Sequence, residues 1–393
     1  MGREIRLFAL SNPAVLVAEA DRASAAQNFT RAQALLREAA EVQPGDFAIL
    51  MRLAGVSRAL SQPRVALDAV HRALAVAPLD FAALLMRASL LERIGDPSAG
   101  EAWSRALAQR PDGPLPPQLE PVVAEGEQRC TAWLDAREAR LKAAMTGPEQ
   151  AADIAERKRI ARFRTNALRR TRPFHSEPTH FHFPELTERE FHPSELFPWL
   201  VELEAATDLI AAEFGTVMGA ERAELVPYIQ YPDHAPLRQW QALNRNPDWT
   251  AIHLMQNGRR IDANARHCPQ TMSLLDRIPQ PRIAGCSPNA MFSLLAPGTR
   301  IPPHTGVANT RLVCHLPLIV PEGCWFRVGA ETRAWQRGAA FLFDDTIEHE
   351  AMNPSDLLRV VFIIDAWHPD LSPTEQAAIK AMMEAEGAGV AGL

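Results

Sequence analysis

Three prolines set the architecture of the N-terminal third. Pro44, Pro78 and Pro111 stand 34 and 33 residues apart, and Ala39, Ala73 and Ala106 repeat in step with them. The segments REAAEVQPGDFAIL, HRALAVAPLDFAALL and SRALAQRPDG can be laid over one another. A unit of this length cannot bury its apolar face alone, so it stacks on copies of itself. The local chemistry is that of paired helices. Small residues such as Ala73 let two helices approach, the proline ends the second helix of the pair, and Asp46 or Asp80 offers an oxygen to cap the next one. Residues 15 to 110 therefore read as two to three helical pairs.

The period resembles that of the tetratricopeptide repeat family. That family's Trp-Leu-Gly-Tyr positions are poorly kept, so the likeness rests on period and small-residue placement. Such an array offers a concave surface to a peptide or partner protein. A spacer that shields or dimerises the next domain is an equal reading. Residues 113–121, GPLPPQLEP, read as a boundary or connector, and helical periodicity resumes from about Val122 to Ala144. Residues 157–172, RKRIARFRTNALRRTR, carry eight basic residues and no acidic one. A solvated helix face leading into a domain is the commoner meaning of such a run, and only Phe163 interleaves it with an aromatic ring.

Length and composition narrow the function classes. The 393 residues allow two or three domains. With Lys+Arg 41 against Asp+Glu 47, the net charge of −6 disfavours a globally basic nucleic-acid binder. No run approaches eighteen apolar residues, so no membrane-spanning helix is expected. Five cysteines (Cys130, Cys268, Cys286, Cys314 and Cys324) form no CxxC pair and read as reduced thiols. The first residues hold too short an apolar stretch for a secretory leader, and Met1-Gly2 lacks Ser or Thr at position 6 for myristoylation. The expected location is cytoplasmic.

After Pro173 the pattern changes. A helical stretch from about Pro198 to Val217 gives way to short apolar runs bounded by turn residues: AMFSLLA at 290–296, TRLVCHLPLIV at 310–320, CWFRVG at 324–329, AAFLFDD at 339–345 and LLRVVFIIDAW at 357–367. Strands at this spacing predict a double-sheet jelly roll of the cupin type, a double-stranded β-helix with a natural interior pocket. His304, in PPHTG, and His349, in DDTIEHE, fall at strand ends or turns. Two imidazoles and a carboxylate are the usual facial set for ferrous iron in oxygenases. The carboxylate expected two residues after the first His is absent, because Gly306 stands there. Arg359 lies ten residues beyond His349 on an apolar strand. A guanidinium inside a barrel needs an anion, and a dicarboxylate such as 2-oxoglutarate would supply one.

These residues carry a resemblance. HTG, N-x-R-x-x-x-H-L, GC-x-x-R-V, ETR-x-W, FDD, EHE and the closing D-x-WHP, with HLMQNGRRIDANARHCPQT and FSLLAPGTRIPPH upstream, are similar to the aspartyl/asparaginyl β-hydroxylase family of non-haem iron, 2-oxoglutarate-dependent dioxygenases, over roughly residues 170 to 372. The resemblance implies His304 and His349 as Fe(II) ligands, with Gly at position 306 and water completing the coordination as in the animal members. It implies Arg359, helped by Ser293 and His315, as the 2-oxoglutarate site, and Arg311 and Gln256 as substrate-facing residues. It implies O2 as oxidant and succinate and CO2 as products of a C–H hydroxylation. Val313 departs from the family, which carries a second arginine there, and puts the usual acidic substrate in doubt.

Each residue also has a plainer meaning. His304 could be a capped turn residue, His349 a surface ion-pair partner and His315 a core histidine. Asp344 and Asp345 could simply end a strand. His175, His180 and His182 in FHSEPTHFHF could form a second metal cluster, but an extended aromatic segment packed on the barrel is the stronger reading. The chain is thus read as multidomain: an all-α tetratricopeptide-like region at 1–145, a basic helical linker at 146–173, a double-stranded β-helix dioxygenase with flanking helices at 174–372, and a C-terminal helix and flexible tail at 373–393. The expected substrate is a peptide, protein or amino-acid-like molecule, with a possible protein partner on the repeats. The competing readings are a cupin-like metal barrel of another enzyme class and a non-catalytic repeat adaptor with a vestigial barrel.

Overall fold

The computed structural model describes residues 12–220, 225–230, 241 and 244–386. The readings of the Met1-Gly2 start and of the GAGVAGL tail lie outside these residues. The chain divides into two compact units, 1–170 and 171–393.

In the first unit the period becomes helical pairs: α1 (Pro13–Ala25) with α2 (Phe29–Val42), α3 (Phe47–Ala59) with α4 (Pro63–Val76), and α5 (Phe81–Arg93) with α6 (Ala99–Leu107). The first helices of the pairs start at Pro13, Phe47 and Phe81, the same 34-residue step. Asp46 accepts from the Ile49 amide at 3.0 Å and Asp80 from the Ala83 amide at 2.8 Å, so both predicted caps form. Ala39, Ala73 and Ala106 are fully buried where the paired helices touch.

A long α7 (Glu120–Ala151) follows. Pro121 stands in its first turn, where a missing N–H costs nothing, so this proline opens the helix instead of prolonging the connector. The basic run forms α8 (Ile154–Ala167), opened by a capping box between Asp153 and Glu156. Arg164 pairs with Glu149, and Arg170 with Asp135 and Glu138 at 2.6 and 2.9 Å, all acids of α7. Part of the positive charge is therefore spent on docking α8 against its neighbour. No helix among the described residues is long and apolar enough to cross a membrane.

The second unit is built on two antiparallel sheets. Its strands are β1 (Phe191–His192), β2 (Val226–Pro227), β3 (Trp249–Gln256), β4 (Arg259–Arg260), β5 (Ala290–Leu295), β6 (Arg300–His304), β7 (Arg311–Ile319), β8 (Trp325–Val328), β9 (Glu331–Ala334), β10 (Phe341–Phe343), β11 (His349–Met352) and β12 (Arg359–Trp367). The larger sheet runs β1-β10-β7-β12-β5-β3-β2 with β4 beside β3, and the smaller runs β6-β11-β8-β9. Helices α9 (Leu200–Ala205), α10 (Thr207–Met218), α11 (Asp262–Ala265), α12 (Pro269–Leu275) and α13 (Pro373–Glu386) complete the unit.

Strand alternation decides what faces where. Leu312, Cys314 and Leu316 of β7, Val360, Phe362 and Ile364 of β12, and Phe292 and Leu294 of β5 join Leu203, Ile210 and Phe214 in a core under the helices. The other face of the same strands carries Val313, Val361, Ile363, Met291 and Leu295 into a second core shared with Phe326 and Val328 of β8 and Ala351 of β11. By the same period, Ser293, Arg311, His315 and Arg359 point between the sheets, so the candidate polar residues are interior by register.

His192 on β1 lies outside that interior. Neither ring nitrogen has a hydrogen-bond partner among the described residues, and its ring meets the His368 ring edge-on at 5.1 Å. Burial, together with the nearby His368 and Arg189, pushes its pKa down to about 3. The folded state therefore holds it neutral, while the unfolded chain takes up a proton below about 6.5. Its contribution to stability is present above that pH and is lost as pH falls toward 3. At pH 5 the penalty is about 2 kcal/mol. We expect His192→Phe to leave stability at pH 7.5 nearly unchanged and to raise it at pH 5 by about that amount, read by urea unfolding at the two pH values. Equal effects at both would refute the neutral-histidine account.

Candidate active site

The two histidines singled out from the sequence converge. His304 closes β6 and His349 opens β11, the two are register partners in the antiparallel pair, and their ring centroids lie 4.0 Å apart. Each Nδ1 meets the backbone carbonyl two residues back, Pro302 at 2.8 Å and Ile347 at 3.1 Å. A carbonyl can only accept, so Nδ1 is the protonated nitrogen and Nε2 carries the lone pair. Burial lowers the His304 pKa to about 4. Burial and the adjacent His304 push His349 well below the usual histidine range. Both rings are held neutral, which is the form that binds a metal.

Gly306 takes its meaning from its surroundings. A Cβ at this position would land inside the Asp345 carboxylate, whose backbone carbonyl accepts from the Gly306 amide at 2.7 Å. The third position is therefore not a vacancy awaiting an aspartate, since the Asp345 side chain has taken the room. Among the described residues no three His, Cys, Asp or Glu side chains group as a metal site, and the two imidazoles stand together as a pair. Glu350, beside His349, is not spare: although burial raises its carboxyl, Arg300 and Arg327 outweigh that and hold it below the usual range. We expect Gly306→Asp to weaken metal binding and to cost about 2 kcal/mol or more of stability, because it buries a second carboxylate against the first. Adding Asp345→Gly should recover part of both. Metal titration and thermal unfolding check this, and a tighter metal site in the single variant would contradict it.

Arg359 is 2% exposed. Its guanidinium lies 4.8 Å from the centre of the Trp335 ring, and Nη1 reaches the Ser293 carbonyl and hydroxyl only at 3.4 and 3.5 Å. Nε has no partner among the described residues. Burial lowers its pKa to about 10, which still leaves it charged near neutrality. The Ser293 hydroxyl also accepts from Trp249 Nε1 at 3.2 Å. His315 stands in an aromatic cage of Phe326, Phe343, Phe341 and Trp335, with Nδ1 unpartnered among the described residues. Burial and Arg359 keep it neutral.

His304, His349, Arg359, Ser293, His315 and Arg311 all line one cavity. Gln256 does not belong to that wall. It sits at the opposite end of β3 from Trp249, paired with Arg259, where the amide of the next residue, Asn257, donates to the Asn289 side chain at 2.8 Å beside Asp365. Arg311 is in the wall but already held: Nη2 meets Asp345 at 3.1 Å and Nη1 meets Asp365 at 3.3 Å. Tyr228, stacked on Trp249 at 4.0 Å, belongs to the site and was missed. Trp249 was overlooked too, because the TAIHLMQ run after it was not read as a strand.

The FHSEPTHFHF segment is a strap and not a second metal cluster. His175 meets Glu188, and His180 meets Thr179. The Glu177 amide donates to the Thr346 carbonyl, the Thr179 amide to Gly306, and the His180 and Phe181 amides to Val307. Asn309 exchanges two hydrogen bonds with the Phe183 backbone at 2.7 and 2.8 Å. The strap thus ties together the loops that follow His304 and precede His349.

Residues 204–369 match the family described as aspartyl/asparaginyl beta-hydroxylase. The human aspartyl/asparaginyl beta-hydroxylase is 38% identical over 142 residues, 36% of this chain and 18% of that protein. Human aspartate beta-hydroxylase domain-containing protein 2 is 33% identical over 215 residues, 53% of this chain and 55% of that protein. The chain therefore spans about half the length of the second relative and less than a fifth of the first. For the helical pairs, the Sgt2 TPR domain from Aspergillus fumigatus is 19% identical with a TM-score of 0.27, covering 30% of this chain and 78% of that one. Over residues 204–369, then, this chain is similar to the aspartyl/asparaginyl β-hydroxylase family, the likeness that its HTG, EHE and WHP motifs implied.

Proposed function

We propose that the second unit is a double-stranded β-helix hydroxylase dependent on Fe(II) and 2-oxoglutarate, acting on a C–H bond of a peptide, protein or amino-acid-like substrate. The observation that carries this reading is the pairing, in one cavity, of two neutral imidazoles 4.0 Å apart with a buried guanidinium that no carboxylate among the described residues satisfies. A metal and a dicarboxylate answer those two needs together. The two stacked antiparallel sheets, with the histidines on the smaller one, support the jelly-roll assignment.

In this reading His304 and His349 hold the metal through Nε2, with the Nδ1 bonds fixing both rings before it arrives. When bound, iron with 2-oxoglutarate and O2 supplies the oxidation, so that R–H, O2 and 2-oxoglutarate become R–OH, succinate and CO2. Arg359 meets the distal carboxylate, Ser293 and His315 orient it, and Trp335, Phe326 and Phe343 keep water from the ion pair. Gly306 leaves the third protein position to solvent or co-substrate beside Asp345. The domain limits 174–372 and 1–145, a protein partner on the repeats and a cytoplasmic location belong to the same proposal. The test is the full chain with ferrous iron, ascorbate and 2-oxoglutarate under air, followed by NMR. Succinate formation above the metal-free control supports the reading, and its absence with 2-oxoglutarate demonstrably bound favours another class of metal barrel.

A further inference from the structure

We infer that the part of the substrate this site oxidises is an uncharged aliphatic side chain and not a carboxylate. The inference rests on the reading of the site just given and names its substrate class. It comes from how the cavity wall spends its charge. Apart from Arg359, Arg311 is the one guanidinium that lines the cavity among the described residues. Both of its terminal nitrogens are engaged by buried carboxylates, Asp345 and Asp365. Asp365 is locked in turn, its second oxygen accepting from the Ser287 hydroxyl, the Asn289 amide and the Asn289 side chain at 2.7, 2.7 and 3.0 Å. The cluster is therefore two carboxylates around one guanidinium, whose terminal nitrogens are spoken for before any substrate enters.

A substrate carboxylate arriving here would meet Asp345 in the wall and a guanidinium whose terminal nitrogens are both taken, leaving only the buried Nε of Arg311 to repay its lost hydration. Glu350 lines the same wall with its carboxylate held by Arg300 and Arg327. Much of the rest of the wall is apolar: Ile229, Ile301, Val307, Val313 and Ala351. Val313 lies one alternation along β7 from Arg311, on the same face, and presents an isopropyl group with no charge. Such a wall binds an aliphatic chain by excluding water and rejects an anion by leaving it unpaired.

The test uses the full chain loaded with Zn(II), which does not turn over, and saturating 2-oxoglutarate, read by saturation-transfer NMR. The probes are N-acetyl-L-leucinamide and the α-amide of N-acetyl-L-aspartate. We expect the leucine probe to bind at least tenfold more tightly, and Val313→Arg to shift the ratio at least tenfold toward the aspartate probe. Equal or tighter binding of the aspartate probe to the wild type, or no binding of the leucine probe, overturns the inference. The wild-type comparison decides even if the variant fails to fold. No 2-oxoglutarate binding to the wild type, or binding that Arg359→Met leaves unchanged, would instead mark a failure of the co-substrate reading.

Discussion

Arg359→Met should greatly weaken 2-oxoglutarate binding while leaving the ligand-free protein as stable as before or more so. The two effects have one cause. In the free protein the guanidinium is buried, weakly bonded to Ser293 and met by no carboxylate among the described residues, so its burial is a cost that only a ligand anion offsets. Two charge-assisted hydrogen bonds to a carboxylate contribute about 3–5 kcal/mol, so their loss should weaken binding by roughly 10²-fold or more. Methionine fills the space beside Trp335 without a charge and should raise stability by about 1 kcal/mol or more. Calorimetric titration and urea unfolding read the two quantities. A variant that is less stable and still binds 2-oxoglutarate would make Arg359 a structural residue.

His304→Ala should remove metal-dependent turnover altogether. With Gly306 and Asp345 excluding a third protein ligand at that position, the loss of one imidazole leaves a single one. We expect metal affinity to fall at least 100-fold, beyond the ~10–100-fold typical when only an outer partner of a ligand is removed. His349→Ala should behave alike, because the rings are register partners on neighbouring strands. His192→Phe, on β1 and outside the cavity, should retain iron binding. Metal titration of the three variants checks this, and unchanged affinity in His304→Ala would break the proposed donor pair.

What was legible in the sequence follows from how local each signal is. β7 and β12 are apolar on both faces and bounded by turns, so their runs stood out. The charged residues interrupting them, Arg311 and Arg359, could be placed inside by period alone. The helical pairs were legible because three copies reinforce one another at the Ala39, Ala73 and Ala106 positions. β6 was hidden because Pro302 and Pro303 argue against a strand. It tolerates them as an edge, bonded only to β11.

The Asp345 side chain in the Gly306 space could not be foreseen, since it depends on two loops about forty positions apart. The same holds for the two carboxylates on Arg311. The guanidinium looked available to a substrate until Asp345 and Asp365, from different strands and turns, were seen to hold it.

The central claim is that His304, His349 and Arg359 together make one metal and 2-oxoglutarate site. Anaerobic titration of the full chain with ferrous iron and then 2-oxoglutarate tests it most directly by visible absorption. The account predicts a weak charge-transfer band that appears only with both present, is absent in His304→Ala, and needs far more 2-oxoglutarate in Arg359→Met. Bound iron with no band, or a band indifferent to both substitutions, would contradict it.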